Sequence, residues 1–376
     1  MRIGFDGKRA VQNFTGLGNY SRYVADILCH FYPENDYVLY APKKRENKRM
    51  NLLTGQYRQL TLAYPATSFW KKLSSLWRVW GITSQLEKEG IELFHGLSNE
   101  LPLNIHKSRI KSIVTIHDLI FLRYPQYYQS IDRKIYTYKF RKACENADKI
   151  IAISECTKRD IIRYFNIPDD KIEVVYQGCD VSFTHPVTEE KKEEVRKKYQ
   201  LPDHYILNVG SIEERKNILA AVQALPMLPQ HIHIVIVGRR TGYTEKVEQF
   251  IKDNGLGERV HIISNVPFND LPAFYQSAEI FVYPSRFEGF GIPIIEALYS
   301  GIPVVAATGS CLEEAGGPDS IYVNPDDITG LADAFKQIYS NSDKRKNMVE
   351  KGREFAKRFS EKQQSEEIIN IYKKLI

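Results

Sequence analysis

Short apolar runs alternate with stretches of helical periodicity along almost the whole chain. This alternation restricts the fold more than any other feature. Strands that recur one at a time between helices pair in parallel, and a parallel sheet is covered by helices on its faces. In the first half the runs are Arg2–Gly7, Tyr37–Pro42, Glu92–Gly96, Ile110–His117, Lys149–Ser154 and Glu173–Gln177. In the second half they are Tyr205–Gly210, His231–Gly238, Val260–Ser264, Ile280–Pro284 and Ile302–Ala306. Between the halves, Thr184-His185-Pro186 precedes a charge run, Glu189 to Glu194, which reads as a linker entering a solvated helix. The hinge is expected within residues 181–200, with domains 1–182 and 183–359. A chain of 376 residues can support two separate cores. The final stretch, 360–376, opens on Ser360 as a helix cap. It carries Ile368, Ile369, Tyr372, Leu375 and Ile376 on one face.

Composition removes several classes of function. A net charge of +6 is mild and dispersed. It suits phosphate-bearing ligands or an anionic membrane surface, and it is too weak to argue for nucleic acid. No apolar run reaches the length of about 18 residues that a membrane span needs. Met1 to Asp6 reads as a first strand and not as a signal peptide. Cys29, Cys144, Cys156, Cys179 and Cys311 are scattered with no Cys-x-x-Cys pair, which fits reduced thiols in a cytoplasm.

The stretch from Ser285 to Ala297 carries the chemistry. It follows a β-rich run closed by Pro284, so the unit is strand, glycine loop and helix. Such a loop and helix start offer backbone N–H groups to an anionic ligand. Glu288 sits in the loop, and Glu296 lies about two helical turns further on. A carboxylate accepts two hydroxyl hydrogen bonds, which suits a sugar or a ribose. Two glutamates at this spacing also occur on ordinary solvated helix faces; the strand, the glycines and Pro293 near the helix start favour a site. Together, Phe287-Glu288-Gly289-Phe290-Gly291 and Glu296 resemble the glutamate pair of retaining, nucleotide-sugar-dependent glycosyltransferases of family 4. The likeness extends over nearly the whole chain. It implies the GT-B fold, two Rossmann-like domains facing across a cleft, with the last helix packing back on the first domain.

Other segments add to the resemblance. Asn13 to Tyr20 holds Gly16 and Gly18 between a strand and a helix, but Ser21 stands where a dinucleotide fingerprint needs its third glycine. A tight turn would explain the two glycines as well. The resemblance implies that this loop faces the donor diphosphate and the acceptor. His117, followed by Asp118, ends a buried strand, where open parallel sheets gather ligands. The family role implied for it is contact with the transferred sugar. His95 ends a similar strand and is either structural or acceptor-facing. Arg215 and Lys216 sit side by side in a loop led by Gly210, and such a pair suits a diphosphate. They resemble the family's diphosphate clamp. Many relatives carry a further basic residue where this chain has Ser211, so the clamp is expected to rest on Arg215 and Lys216. At Val266 the resemblance implies backbone recognition of the base, and at Gly289, Phe290 and Gly291 contact with the donor.

Trp70, Leu73, Trp77 and Trp80 recur at helical spacing among Lys71, Lys72 and Arg78. They form either a core helix or a face that meets lipid. The chain has no Asp-x-Asp, and basic side chains can stabilise the leaving group, so no metal or other cofactor is expected. The resulting expectation is transfer of a hexose to an acceptor hydroxyl, with Glu288 on the sugar and Glu296 on the ribose. The donor is a nucleotide sugar, GDP-mannose before UDP-hexoses. The acceptor is a glycan or lipid-linked glycan of bacterial surface polysaccharide. A sugar-nucleotide epimerase of the same fold is the alternative enzyme, and a noncatalytic nucleotide-binding module the alternative class. The expected location is the cytoplasm, with peripheral contact at the inner membrane face if the tryptophans meet lipid.

Overall fold

A computed structural model describes residues 1–376. The chain forms two compact units, Met1–Gln177 with Glu361–Ile376, and Gly178–Ser360. The first unit therefore ends before the expected hinge. The reason is local packing. Phe183 is fully buried in the second unit, with ring centroids 5.9 Å from Phe268 and 5.3 Å from Tyr275. The Val187 N–H donates to Gln276 Oε1 at 2.8 Å. The proline-led stretch is thus folded onto its own unit, and the charge run forms the Glu189–Tyr199 helix, capped by Thr188.

In the first unit the strands are β1 (Arg2–Asp6), β2 (Asp36–Tyr40), β3 (Leu60–Ala63), β4 (Leu93–Gly96), β5 (Lys111–Ile116), β6 (Lys149–Ala152) and β7 (Ile172–Val174). They pair in parallel in the order β3-β2-β1-β4-β5-β6-β7. In the second unit they are β8 (Tyr205–Val209), β9 (His233–Val237), β10 (Val260–Ile263), β11 (Ile280–Tyr283), β12 (Val304–Ala307) and β13 (Ile321–Val323). Their order is β10-β9-β8-β11-β12-β13, again all parallel. Each sheet reverses direction of growth once, between β1 and β4 and between β8 and β11. At such a switch the connecting loops part and leave room for a ligand at the strand ends. The two strands that the apolar-run pattern misses, β3 and β13, are short edge strands with little burial.

The C-terminal helix, Glu361–Leu375, buries Ile368, Ile369, Ile371 and Tyr372 in the core of the first sheet, against the Gly16–Phe31 helix side. Leu375 only borders that core, and Ile376 is exposed.

The tryptophan stretch is not one helix with one apolar face. It breaks at Leu73, and Trp77–Gly81 forms a single π-helical turn before the Ile82–Lys88 helix. Trp77 is fully buried and donates its indole N–H to Gln85 Oε1 at 3.1 Å. Phe69, Leu73, Leu76 and Trp80 are exposed. Arg78 turns inward: its Nε lies 3.1 Å from Asp6 Oδ1, and its Nη1 lies 2.6 Å from Glu100 Oε2. The expectation that Arg78 shares a lipid-facing surface is therefore corrected.

Candidate active site

In the second unit the switch between β8 and β11 carries a cluster of charges. β8 leads into the loop that holds Arg215 and Lys216, while β11 ends on Tyr283 and leads into the loop that holds Glu288. Arg215 Nη1 lies 3.0 Å from one Glu288 oxygen, and Lys216 Nζ lies 3.7 Å from the other. Ser285 Oγ donates to Glu288 at 2.9 Å, Tyr283 OH donates to it at 3.1 Å, and Lys216 donates to Tyr283 OH at 3.0 Å. Arg215 also donates to the Phe287 carbonyl. Burial alone would push the Glu288 carboxyl up, but Lys216 and Arg215 outweigh it and hold it below the usual glutamate range. Burial works against both cations, and Glu288 reverses this and keeps each charged. One carboxylate thus spaces two cations, leaving the trio with a net positive charge. Tyr283 and Ser285, read from sequence only as strand and loop, are the neighbours that complete it.

The glutamate loop is fixed from below. Phe287 and Phe290 are buried, and Phe290 meets Phe359 edge-on at 5.5 Å. Phe290 was expected at the donor, yet its side chain belongs to the core, which leaves only its backbone for a ligand. Cys311 Sγ lies 2.9 Å from the Glu288 carbonyl and 3.0 Å from the Phe290 carbonyl. Gly291 has φ 128°, a conformation that side-chain-bearing residues rarely adopt, and it starts the Ile292–Ser300 helix. Gly289 lies in the same loop. On that helix Glu296 accepts from Tyr275 OH at 2.6 Å. Burial raises its carboxyl to about 7, with the Tyr275 hydrogen bond opposing the rise. Val266 sits beyond the end of β10, partly exposed, next to Asn265 with φ 59°.

In the first unit the strand ends carry neutral groups beside a self-contained ion cluster. His117 follows β5. Its Nε2–H donates to the Leu97 carbonyl at 2.9 Å, so Nδ1 is the acceptor and receives the Gln177 amide at 3.2 Å. The Tyr20 ring meets it edge-on, with centroids 4.6 Å apart. Burial pushes the imidazole down to about 4, and the Leu97 carbonyl only partly offsets this. His95 is fully buried between Tyr372 OH, 2.6 Å from Nδ1, and Thr115 Oγ1, 2.8 Å from Nε2. It is therefore structural and not acceptor-facing. Gly16 opens the Gly16–Phe31 helix, and a Cβ there would meet nothing within 4 Å. At Gly18 a Cβ would lie 1.9 Å from the Asn13 carbonyl, so the turn itself demands that glycine. Asn13 Oδ1 closes the loop by accepting from the Thr15 N–H at 2.8 Å.

Comparison with known proteins gives the family. Residues 21–183 match the Glycosyltransferase Family 4 model, and residues 189–355 match Glycosyl transferases group 1. The O-antigen chain mannosyltransferase B of Escherichia coli is 31% identical over 289 residues, 75% of this chain and 74% of that protein. The O-antigen chain mannosyltransferase RfbU of Salmonella typhimurium is 29% identical over 60% of each chain. Among solved structures, Anabaena HepE in complex with UDP and glucose has a TM-score of 0.77 at 18% identity over 100% of both chains. A Rickettsia africae glycosyltransferase has a TM-score of 0.79 at 20% identity, covering 100% of this chain and 98% of that one. Two parallel sheets, paired family models over both halves and 31% identity across three quarters of a relative converge: the chain belongs to the family 4, group 1 glycosyltransferases and is a glycosyltransferase of the GT-B fold.

Proposed function

We propose that the protein transfers mannose from GDP-mannose, with retention, to a hydroxyl of a glycan or lipid-linked glycan in bacterial surface-polysaccharide synthesis. The observation that carries the reading is the Arg215–Lys216–Glu288 cluster at the switch of the second sheet. The names of the mannosyltransferase relatives support the choice of sugar. The diphosphate meets Arg215 and Lys216, Glu288 turns its remaining Oε2 lone pair to a sugar hydroxyl, and Glu296 accepts from the ribose diol. Val266 offers backbone groups to the base, and the Gly289–Gly291 backbone and Gly16 border the diphosphate. His117 contacts the transferred sugar. The bond from the anomeric carbon to the phosphate oxygen breaks as the acceptor oxygen attacks from the same face. The acceptor proton passes to the departing phosphate. The two cations stabilise that leaving group, so the reaction proceeds without a metal. Incubation with a panel of GDP- and UDP-sugars, reading nucleotide release and thermal shift, tests the donor. Turnover with a UDP-hexose and none with GDP-mannose would overturn it. HepE, crystallised with UDP and glucose, makes the UDP-hexose the second reading.

The acceptor reading includes peripheral contact with an anionic bilayer. No helix is long and apolar enough to cross a membrane. Phe69, Leu73, Leu76 and Trp80 are exposed beside Lys71 and Lys72. On the Ser130–Asn146 helix, Ile131, Ile135 and Tyr138 are exposed among Arg133, Lys134, Lys139, Arg141 and Lys142. Glu100 joins the two segments, bound to Arg78 at 2.6 Å and to Lys139 at 3.6 Å. Aromatic and aliphatic tips ringed by cations suit an anionic headgroup layer. Flotation with phosphatidylglycerol vesicles should capture the protein at low salt, and Lys71→Glu/Lys72→Glu should lose capture with an unchanged melting temperature. Equal flotation of that variant would remove the membrane contact.

A further inference from the structure

The chain leaves the first unit after Gln177 and returns to it at Glu361. The outgoing crossing meets His117 directly, and the returning helix is linked to it through His95, Thr115 and Tyr20. On the outgoing side, the Gln177 amide, buried, donates to His117 Nδ1 at 3.2 Å. On the returning side, Tyr372 of the Glu361–Leu375 helix bonds His95 Nδ1 at 2.6 Å, and His95 Nε2 bonds Thr115 Oγ1 at 2.8 Å. Thr115 bonds Tyr20 OH at 3.2 Å, and the Tyr20 ring abuts His117 at 88°. Tyr372, His95 and Thr115 have no solvent exposure, and Tyr20 has 8%. Buried polar groups joined in this way have few alternative partners, so each one orders the next.

We propose that Gln177 and Tyr372 are positioning residues for His117. Gln177 aims its Nδ1 lone pair from the outgoing crossing. Tyr372 holds its ring from the returning helix, through His95, Thr115 and Tyr20. The proposal rests on the reading of His117 as the sugar contact. With Nε2–H committed to the Leu97 carbonyl, the only lone pair His117 can offer a sugar hydroxyl is the one Gln177 now occupies. Rearrangement at either crossing therefore changes how that lone pair is presented.

Nitrogen-15 NMR of histidine-labelled full-length protein, with turnover measured in parallel, tests this. In the native protein His117 is the Nε2–H tautomer. Gln177→Glu replaces a donor by a carboxylate that calls for a proton on Nδ1. The titration of His117 should rise by about one to two pH units, the equivalent of a charge-assisted hydrogen bond. Gln177→Met keeps the size and removes the donor, so the Nδ1 signal should lose the shift of a hydrogen-bonded nitrogen while the Nε2–H tautomer, held by the Leu97 carbonyl, stays. Turnover should change by about two- to twelvefold, the rate equivalent of one neutral hydrogen bond, with GDP affinity unchanged. Tyr372→Phe should shift the His117 ring signals and change turnover less. If it fails to fold, Thr115→Val interrupts the same chain nearer the histidine. An unchanged His117 tautomer and titration in folded Gln177→Glu, or unchanged ring signals in Tyr372→Phe or Thr115→Val, would overturn the proposal. Failure of the underlying reading looks different: His117→Ala would keep native turnover, whatever the NMR showed.

Discussion

The two sheet switches use opposite electrostatics. At β8 and β11 the chain concentrates charge, with Arg215 and Lys216 kept ionised by a buried glutamate. At the ends of β4 and β5 it buries two neutral imidazoles, His95 and His117, and satisfies them with hydroxyl, amide and carbonyl groups. The ions near the first switch neutralise one another: Arg78 lies between Asp6 and Glu100, and Lys139 balances the second carboxylate. A charged leaving group needs the former environment, and a hydroxyl-bearing sugar suits the latter. The difference teaches that one strand-end geometry serves either purpose, and the side chains beyond the strand decide which.

The largest test of this contrast is Arg215→Ala. It removes the proposed charge-assisted hydrogen bond to the diphosphate, about 1.5–3 kcal/mol, so kcat/KM should fall roughly ten- to 150-fold. Glu288 keeps Lys216 as its counter-ion, so the loss of stability should be that of one charge-assisted hydrogen bond, about 1.5–3 kcal/mol. Arg215→Lys should recover most of the melting temperature and only part of the activity, because a lysine supplies the charge without the planar fork. Full recovery of both would show that the cluster needs only a charge at that position.

Acid should act first on the first unit. His95 and His117 are held at about 3 and about 4, below their unfolded values. The unfolded chain therefore binds protons that the folded one refuses. Stability should be intact above about pH 6.5 and decline as pH falls toward 4, by about 2 kcal/mol for each histidine at pH 5. His95→Gln should flatten part of that slope in denaturant titrations; an unaltered slope would dissociate the histidine from it.

Glu296 should respond in the other sense. Its folded value, about 7, lies above the unfolded one, so its contribution to stability is lost as pH rises from the ordinary glutamate range through 7. In the proposed donor complex the ribose diol selects its ionised form. GDP affinity should therefore fall by up to about tenfold per pH unit below 7, and Glu296→Gln should be flat over the same range. Calorimetry at pH 5.5, 6.5 and 7.5 distinguishes the two. Glu288→Gln should lower turnover and leave GDP binding largely intact; the reverse pattern would exchange the two glutamates. The smallest effect belongs to Tyr20→Phe, which removes one buried hydroxyl from Thr115. It should cost about 1 kcal/mol of stability in a denaturant melt.

Legibility from sequence followed how each residue acts. The strands of both sheet centres announce themselves as apolar runs, because both of their faces are covered. β3 and β13 do not, since an edge strand has little to bury. Arg215, Lys216, Glu288 and Glu296 lie within recognisable local patterns, and the fold brings the first three into one cluster. Their partners were not legible. Tyr283 reads only as a strand end, Tyr275 lies 21 positions from Glu296, and Cys311 lies 23 positions from Glu288 in the chain. Gln177 lies 60 positions from His117, and Tyr372 lies 277 from His95. Such pairings depend on tertiary placement that no local period encodes. Phe290 and Gly18 show the converse, since residues inside a functional-looking motif can be there for packing.

The π turn at Trp77–Gly81 is where helical spacing misled most. Such a turn is a one-residue insertion that a helix has absorbed without breaking. It divides the labour of the segment. Trp77 and Arg78 stay committed to the interior, and Trp80 is released to the outside. A change at Trp80 therefore alters what the outer surface meets and leaves the Trp77–Gln85 and Arg78–Asp6 contacts within intact.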